Sequence, residues 1–217
     1  MNVEIFSDVA CPFCYIGKRQ FERAIEAFPY ADEVEVTWRS FQLDPAAPTE
    51  PQGDTHSLLA DKYGITVEEA KAMSGRVGTM AEAAGLEMDF ENVVHVNTFD
   101  AHRLLHLARS LGREDEVVEA LFAAYFTRGE NLADREVLAA LASEAGLDPS
   151  SVLEMLAGER FKPEVGDELG EAHELGLNGV PAFVIDRSLL VSGAQPPEVI
   201  LGALQQAREN RAGEAVI

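Results

Sequence analysis

The chain opens with two short stretches in which apolar and polar residues alternate, and a helical pattern lies between them. The alternating stretches are Val3–Ser7 and Val34–Phe41, and a repeat of two residues is typical of β-strands. Between them, apolar residues recur at helical spacing over Phe13–Phe28, and Pro29 ends that pattern. The first part of the chain therefore predicts a β-α-β unit.

A loop follows the second predicted strand and leads into a long helical region. Three prolines and a glycine within residues 41–53 predict the loop. The helical texture then runs from about Thr55 to Glu174, and Thr66 and Glu69 have the spacing of a capping box. Further helices are predicted over Asn97–Leu111, Glu114–Thr127, Asp134–Ala145, Ser150–Ala157 and Pro163–Leu175.

Strand patterns return near the end of the chain. Ala182–Ile185 and Leu189–Val191 are short and apolar, with a turn between them. Pro196 then starts a last helix that is predicted to run to about Arg208, since proline is tolerated in the first turn of a helix. The chain therefore ends in a second unit of the order α-β-β-α.

The order of these elements predicts an α/β protein with a thioredoxin-like fold and a large all-α insertion. The thioredoxin-like part is discontinuous and consists of residues 1–52 and 165–217. The inserted helical cap domain consists of residues 53–164. We expect the cap to pack on the thioredoxin-like part rather than to stand alone.

The net charge of the chain argues against some classes of binding partner. The chain has 38 Asp and Glu against 17 Lys and Arg, which gives a net charge of −21. Such a surface repels nucleic acid and anionic membrane, so we expect neither as a partner. Two interpretations of the charge stay open: an ordinary self-repelling soluble surface, or adaptation to high salt, which screens the repulsion.

Composition also bears on the cellular compartment. Hydrophobic residues make up 47% of the chain, which is enough for a core that needs no structural disulfide. We find no run of ~18 apolar residues that would span a membrane, and Met1–Ile5 lacks the pattern of a secretory signal. We therefore expect a cytoplasmic protein, in which a disulfide is transient and catalytic.

The only two cysteines lie in one short motif, Cys11-Pro12-Phe13-Cys14. The motif follows a predicted strand and starts a predicted helix, which is the setting of a thioredoxin-like redox centre. The helix N-terminus offers unpaired N–H groups and the positive end of the helix dipole, which stabilise a thiolate. Cys11 is nearer to the helix end and is expected to be the more exposed, so we predict that it attacks and that Cys14 resolves.

A second motif is predicted to complete the redox site. Val180-Pro181 precedes the third predicted strand, where an isolated proline is usually an ordinary trans residue at a strand start. In a thioredoxin-like core, however, a cis-proline at this point lies beside the redox cysteines. We therefore predict a cis Val180–Pro181 bond, with the backbone of Val180 available to a docked substrate as in strand addition.

These motifs resemble the DsbA family of oxidoreductases, and more closely its cytosolic FrnE-like branch. The resemblance rests on five segments, which are Ser7–Gly17, Phe41–Pro45, Asn97–Arg103, Gly179–Ile185 and Ser192–Pro196. It implies dithiol–disulfide exchange, including isomerisation, on thiol- or disulfide-containing proteins or small molecules. It implies no cofactor beyond the Cys11–Cys14 redox pair, with glutathione as a candidate co-substrate.

The chain departs from the family pattern at two points. Phe13 stands where the FrnE-like branch commonly has tryptophan and where periplasmic members often have histidine, so the oxidising strength of the pair stays open. The second cysteine pair of some FrnE-like proteins is also missing. Pro12, Phe13, Val180 and Pro181 are the predicted substrate-binding residues.

Two further residues are candidates for the lining of the cleft. His102 belongs to the segment Asn97–Arg103 and is interpreted as facing the redox cleft, as a core histidine or as a surface residue. Asp8, three positions before Cys11, is interpreted either as a proton relay or as a turn residue that caps the following segment.

Two other functions are weighed against disulfide exchange. Cys11 and Cys14 could bind zinc with His102 and His106 in a non-enzymatic interaction module, although about 90 residues separate the two pairs. We therefore predict no metal site. The architecture also resembles the glutathione transferases of the kappa class and the hydroxychromene-carboxylate isomerases, but these have serine where this chain has Cys11.

Overall fold

The computed structural model of the protein describes residues 1–214. One mixed sheet lies at its centre, with the strand order β2-β1-β3-β4. Its strands are β1 (Asn2–Ser7), β2 (Glu35–Ser40), β3 (Ala182–Ile185) and β4 (Leu189–Ser192). β1 pairs with β2 in parallel and with β3 antiparallel, and β3 pairs antiparallel with β4.

Some helices of the described chain cover the sheet, and the others lie in the long segment that follows β2. Nine α-helices are described: α1 (Pro12–Ala27), α2 (Thr55–Tyr63), α3 (Val67–Ala83), α4 (Phe99–Ser110), α5 (Glu114–Ala123), α6 (Arg135–Glu144), α7 (Pro149–Ala157), α8 (Lys162–Glu174) and α9 (Pro197–Glu214). A short 3₁₀ helix, Ala31–Glu33, precedes β2, and a π-helical turn, Ala124–Arg128, continues α5.

The sheet is covered on both faces. The side chains of Ile5 and Phe183 belong to the same apolar core as α1 and α9, and the ring of Phe21 stacks on Phe183 with centroids 5.7 Å apart. The opposite face carries Phe6, which packs with Ala172 of α8. β1 is therefore buried on both sides, as expected for an inner strand between helical layers.

α4 is the central helix of the inserted region. Its residues from Ala101 to Ala108 are all buried, and it contacts α5, α6, α7 and α8. Arg103 is fully buried and donates to the backbone carbonyls of Met155 at 2.6 Å and Gly158 at 2.7 Å. A charged side chain therefore satisfies the C-terminal carbonyls of α7 and fixes that helix to α4.

β2 is an outer strand, but side chains from the helices cover much of its free edge. The Trp38 carbonyl accepts a hydrogen bond from Arg109. The Ser40 N–H donates to Glu168 at 2.7 Å. Arg109 belongs to α4 and Glu168 to α8, so these two helices are anchored to the strand through its backbone.

The thioredoxin-like α/β fold predicted from the sequence is confirmed. The capping box of Thr66 and Glu69 is present at the start of α3. Two predicted helices differ: the one over Glu114–Thr127 changes from α to π at Ala124, and the last one runs to Glu214 instead of ending near Arg208. The division into residues 1–52, 53–164 and 165–217 stays a prediction. No helix within the described residues is long and apolar enough to cross a membrane.

Candidate functional site

The two cysteines lie where β1 passes into α1. Cys11 is the N-cap residue of α1, with extended backbone angles, and Pro12 occupies the first turn. The Cys11 N–H donates to the Asp8 carbonyl at 3.0 Å, which closes the turn between strand and helix. This placement sets the sulfur of Cys11 beside the unpaired N–H groups of the first helical turn, where negative charge is stabilised.

Both cysteines are free thiols, and both are buried. Cys11 is 3% exposed and Cys14 is 0% exposed, so Cys11 is the more accessible, as predicted, but only by a narrow margin. The reason is contact with the loop before β3: Cys11 Sγ lies 3.4 Å from the Val180 carbonyl oxygen and donates to it. In the dithiol form the sulfur of Cys11 is therefore almost covered by this loop.

The surroundings of Cys14 keep it protonated. Burial raises the pKa of the Cys14 thiol well above its usual value, and the hydrogen bond to Cys11 and the charge of Cys11 add to this. Hydrogen bonding with the Ser7 side chain and the Asp8 backbone acts against the rise in pKa. Cys14 is therefore a thiol that must lose a proton before its sulfur can act as a nucleophile.

The loop before β3 brings Val180 and Pro181 against α1. The Val180–Pro181 peptide bond is cis, Pro181 is buried, and Val180 is half-buried. α1 allows this approach because residue 17 is a glycine: a Cβ at Gly17 would lie 2.8 Å from Pro181 Cγ and 3.4 Å from Phe183 Cζ. Gly17 is a site residue that the sequence analysis did not single out.

The two aromatic residues next to the cysteines point in different directions. Phe13 is 38% exposed, so its ring is available at the surface beside the half-buried Pro12. Tyr15 is buried, stacks on Phe122 with centroids 4.9 Å apart, and donates to Glu119 at 2.7 Å. Burial and the hydrogen bond to Glu119 raise the pKa of Tyr15, so it stays a neutral packing residue.

Asp8 fixes the redox turn to the loop after β2. Its carboxylate accepts the Ala10 N–H at 3.3 Å and the Leu43 N–H at 2.8 Å. The neighbouring Gln42 donates to Asn97 at 3.3 Å and to Thr98 at 3.4 Å, at the start of α4. The segments around residues 8, 42 and 97 thus form one connected structure from the redox turn to the helical insertion.

Comparisons with known proteins identify the family. The profile of the DSBA-like thioredoxin domain matches residues 2–205. The chain belongs to this family. The match spans both ends of the discontinuous thioredoxin-like part and the inserted helices, and so covers every site residue described above.

The chain is also similar to individual proteins of known sequence or structure. A probable DsbA oxidoreductase from Streptomyces coelicolor is 44% identical, with a TM-score of 0.92 over 96% of this chain and 90% of that one. The uncharacterised protein YwbO of Bacillus subtilis is 29% identical over 97% of this chain and 99% of its own length. The cytosolic disulfide reductase DsbM from Pseudomonas aeruginosa, solved with GSH, is 17% identical with a TM-score of 0.67 over 96% of this chain and all of that one, which shows the shared fold.

Membership of the DSBA-like family makes the chain a DsbA-like protein of the thiol–disulfide oxidoreductase type. The family assignment made from the sequence is therefore confirmed. The narrower FrnE-like branch stays a prediction.

In this DSBA-like protein His102 lies in the interior beside the redox turn. Its Nε2 atom is 3.5 Å from Asp8 Oδ1, and both side chains are about 2% exposed. Neither ring nitrogen of His102 has a hydrogen-bond partner among the described residues. The hydrogen bonds that Asp8 accepts agree with its interpretation as a turn-capping residue. Asp8 also lies next to a buried histidine.

A second carboxylate–histidine pair lies one turn further along α4, and the sequence analysis did not find it. His106 Nε2 lies 3.1 Å from Glu168 of α8, which also accepts from the Ser40 N–H at 2.7 Å and the Ser40 hydroxyl at 2.6 Å. Arg39 and Arg109 donate to the other oxygen of Glu168 at 3.0 and 3.1 Å. Burial raises the pKa of Glu168, but the hydrogen bonds from His106 and Ser40 outweigh it, so the pKa lies far below its usual range.

The four residues weighed as zinc ligands are not brought together. His106 faces Glu168 instead of the cysteines. Among residues 1–214, no group of three or more His, Cys, Asp or Glu side chains has the arrangement of a metal site.

Proposed function

We propose that this protein is a thiol–disulfide oxidoreductase in which Cys11 attacks the substrate and Cys14 resolves the mixed disulfide. The observation that carries the proposal is the position of Cys11, at the N-cap of α1 and 3.4 Å from the Val180 carbonyl. The helix N-terminus stabilises the thiolate of Cys11, and Cys14 lies behind it on the same side of the helix.

The exchange has two steps, written here for reduction of a substrate. The Cys11 thiolate attacks one sulfur of a substrate disulfide, the substrate S–S bond breaks, and the leaving sulfur takes up a proton. Cys14 then loses its proton and attacks Cys11 Sγ, so that the bond between Cys11 and the substrate breaks and the second substrate sulfur leaves and is protonated. Two electrons pass to the substrate and a Cys11–Cys14 disulfide remains; the reverse sequence oxidises a substrate dithiol.

The substrate is a disulfide or dithiol of a protein or small molecule that binds along Val180. When a substrate approaches, its backbone N–H can replace the Cys11 thiol as donor to the Val180 carbonyl, as in strand addition. Phe13 offers apolar contact area beside the cysteines, and Pro12 and Pro181 shape the rest of the surface. The proposal includes isomerisation, in which Cys11 attacks and is released again without the help of Cys14.

Insulin reduction and the refolding of scrambled ribonuclease test the proposal. We expect Cys11→Ser to abolish both activities and Cys14→Ser to accumulate a mixed disulfide with the substrate, which mass spectrometry detects. Cys14→Ser is the matched control, because it removes one thiol from the same helix and leaves the attacking one. Full activity of Cys11→Ser would refute the assignment.

Glutathione is proposed as the small thiol that exchanges with the Cys11–Cys14 pair. The observation that favours it is the shared fold with a disulfide reductase that was solved with GSH. We expect oxidised glutathione to form an adduct on Cys11 in the Cys14→Ser variant. If the protein instead conjugated glutathione to electrophiles, the kappa-class alternative would replace this proposal.

The cytoplasm is proposed as the compartment of the reaction. The support is the cytosolic location of the disulfide reductase DsbM, which has the same fold. Cell fractionation is expected to find the protein with cytoplasmic markers, and recovery from an exported fraction would contradict this.

A further inference from the structure

A groove on the α1 side of the sheet is separate from the redox turn. It lies between α1, the start of β2 and the turn that joins α4 to α5, and its volume is about 720 Å³. Neither cysteine is among the residues that line it, and Val180 and Pro181 are not among them either. A ligand in this groove would therefore not occupy the redox site.

The floor of the groove is apolar. Its residues are Phe21, Ile25, Val34, Val36 and Trp38. Val36 is 38% exposed, although Phe21 and Trp38 beside it are nearly covered. An apolar side chain from a partner would remove the exposed part of this floor from water, which favours binding.

The free edge of β2 borders the groove at Val36. Along a strand, the N–H and C=O groups of alternate residues point to the same side. The Glu35 N–H donates to the Met1 carbonyl at 2.8 Å, on the side of β1. The Trp38 carbonyl and the Ser40 N–H point away from β1. The Val36 N–H and C=O therefore also face the free edge, and neither has a hydrogen-bond partner among residues 1–214.

The rim of the groove is negatively charged. Five carboxylates and two cations line it, which are Glu22, Glu26, Glu114, Asp115 and Glu116, and Lys18 and Arg109. Both cations are already paired, Lys18 with Glu119 at 3.1 Å and Arg109 with Glu114 at 2.8 Å. The excess of carboxylates attracts a cationic partner and repels a second copy of this chain, whose net charge is −21.

We propose that this groove binds a short, extended, basic segment of another protein, which adds to β2 at Val36. The backbone of the segment bonds to the Val36 N–H and C=O, and an aliphatic side chain covers the apolar floor. Lysines or arginines two positions to either side of that residue lie on the same face of the segment and reach the rim. The added strand ends before Trp38, because Arg109 already occupies the Trp38 carbonyl.

Fluorescence of Trp38 tests the proposal, since Trp38 is the only tryptophan of the chain and lines the groove. The probe is a short capped peptide in which lysine, valine and lysine occupy every second position and threonine the others. We expect this peptide to shift the Trp38 emission with a saturable one-to-one isotherm. The same peptide with glutamate in place of both lysines should have no effect.

Methylation of peptide nitrogens tests the bonding to Val36. The valine nitrogen faces β2 if the added strand is antiparallel, and the threonine nitrogens face it if the strand is parallel. One of the two methylated peptides should therefore bind about tenfold more weakly than the parent, the effect of one lost hydrogen bond. If both bound like the parent, strand addition would be refuted.

Variants of the protein test the edge and the rim separately. Val36→Pro removes an N–H that takes no part in the ladder with β1, and it should weaken binding about tenfold. Glu26→Gln combined with Glu116→Gln should weaken binding about fivefold. The matched control, Glu68→Gln combined with Glu154→Gln, removes two exposed charges elsewhere and should leave the affinity unchanged.

Three further results would overturn the proposal. One is an unchanged Trp38 emission at saturating peptide concentration. Another is equal weakening by the rim variant and its control, which would assign the binding to the net charge of the chain. The last is a dimer in sedimentation that Val36→Pro dissociates, which would assign the groove to a second copy. If Val36→Pro does not fold, the methylated peptides decide the question with the wild-type protein.

Discussion

Two buried carboxylates of the thioredoxin-like part face histidines that lie one turn apart on α4. Glu168 and His106 are 3.1 Å apart, and Ser40 and two arginines complete the bonding of Glu168. Asp8 and His102 are 3.5 Å apart, and His102 has no hydrogen bond to any described residue. Two histidines of one helix, each facing a buried carboxylate, thus give one saturated cluster and one pair with unused hydrogen-bonding groups.

The difference indicates two roles. A fully hydrogen-bonded buried charge network fixes one arrangement of the elements that supply it, and it resists any change of protonation. A pair with unused donors and acceptors contributes less to stability. We therefore interpret Glu168 as the structural anchor between the sheet and the helical insertion, and the Asp8–His102 pair as a weaker contributor to stability.

The largest effect is expected when the saturated cluster is broken. Glu168→Gln removes a 4% exposed charge that compensates Arg39 and Arg109. We expect unfolding free energy to fall by about 3 kcal/mol, the low end of the range for a broken buried pair, because both arginines stay partly exposed. Urea unfolding measures it, and Glu116→Gln, in an exposed pair with Arg113, should leave it almost unchanged. Equal effects of the two variants would contradict the comparison.

Acid should weaken the Glu168 cluster in a defined range of pH. The pKa of Glu168 is lowered in the folded protein from its ordinary value of 4.5. Its contribution is therefore complete above that value and is lost as the pH falls towards the folded pKa. We expect the stability difference between wild type and Glu168→Gln to shrink by about 1.4 kcal/mol per pH unit below 4.5. Urea unfolding at neutral pH and at acid pH measures it, and a constant difference would show that Glu168 is not held ionised.

The redox turn is held by close packing between α1 and the loop before β3, whereas the Glu168 cluster is held together by charge. Gly17→Ala places a Cβ 2.8 Å from Pro181 Cγ, so α1 and the loop before β3 must separate. We expect a loss of about 2 kcal/mol in stability, typical of overpacking, together with slower insulin reduction. Gly75→Ala in α3 is the control, because nothing lies within 4 Å of its added Cβ. That variant should be stabilised by up to about 1 kcal/mol, and a similar gain for Gly17→Ala would refute the packing argument.

The smallest expected effect compares the two histidines directly. His106→Leu leaves Glu168 without one donor, and we expect a loss of about 1.5 kcal/mol. His102→Leu removes a side chain without hydrogen bonds, so its stability should stay within ~1 kcal/mol of the wild type. Thermal unfolding of both variants measures the difference, and a larger loss for His102→Leu would show that His102 has a structural role.

The sequence predicted the local parts of this molecule well. The alternation in Val3–Ser7 and the helical stripe after Cys14 each involve neighbours in the chain, and so does the capping box of Thr66. The fold followed because the order of such elements leaves few ways to build the sheet. The cis peptide bond before β3 was predicted from the Cys11–Cys14 motif together with this order of elements.

The parts that could not be predicted depend on contacts between distant segments. The Glu168 cluster draws donors from β2, α4 and α8, and no spacing in the sequence marks residues 39, 106 and 168 as partners. The burial of Cys11 depends on Val180, which is 169 positions away. The change from α to π in the helix after Glu114 has no marker at Ala124, whose residue type favours an ordinary helix.

The covered edge of β2 has a consequence for the protein at high concentration. An outer strand with free N–H and C=O groups is a template on which another chain can add and start an aggregate. The Trp38 carbonyl and the Ser40 N–H are already bonded to Arg109 and Glu168, so this part of the edge offers fewer free groups to another chain. The ionic contacts that join the helices to the sheet thus also reduce self-association of the protein through this edge.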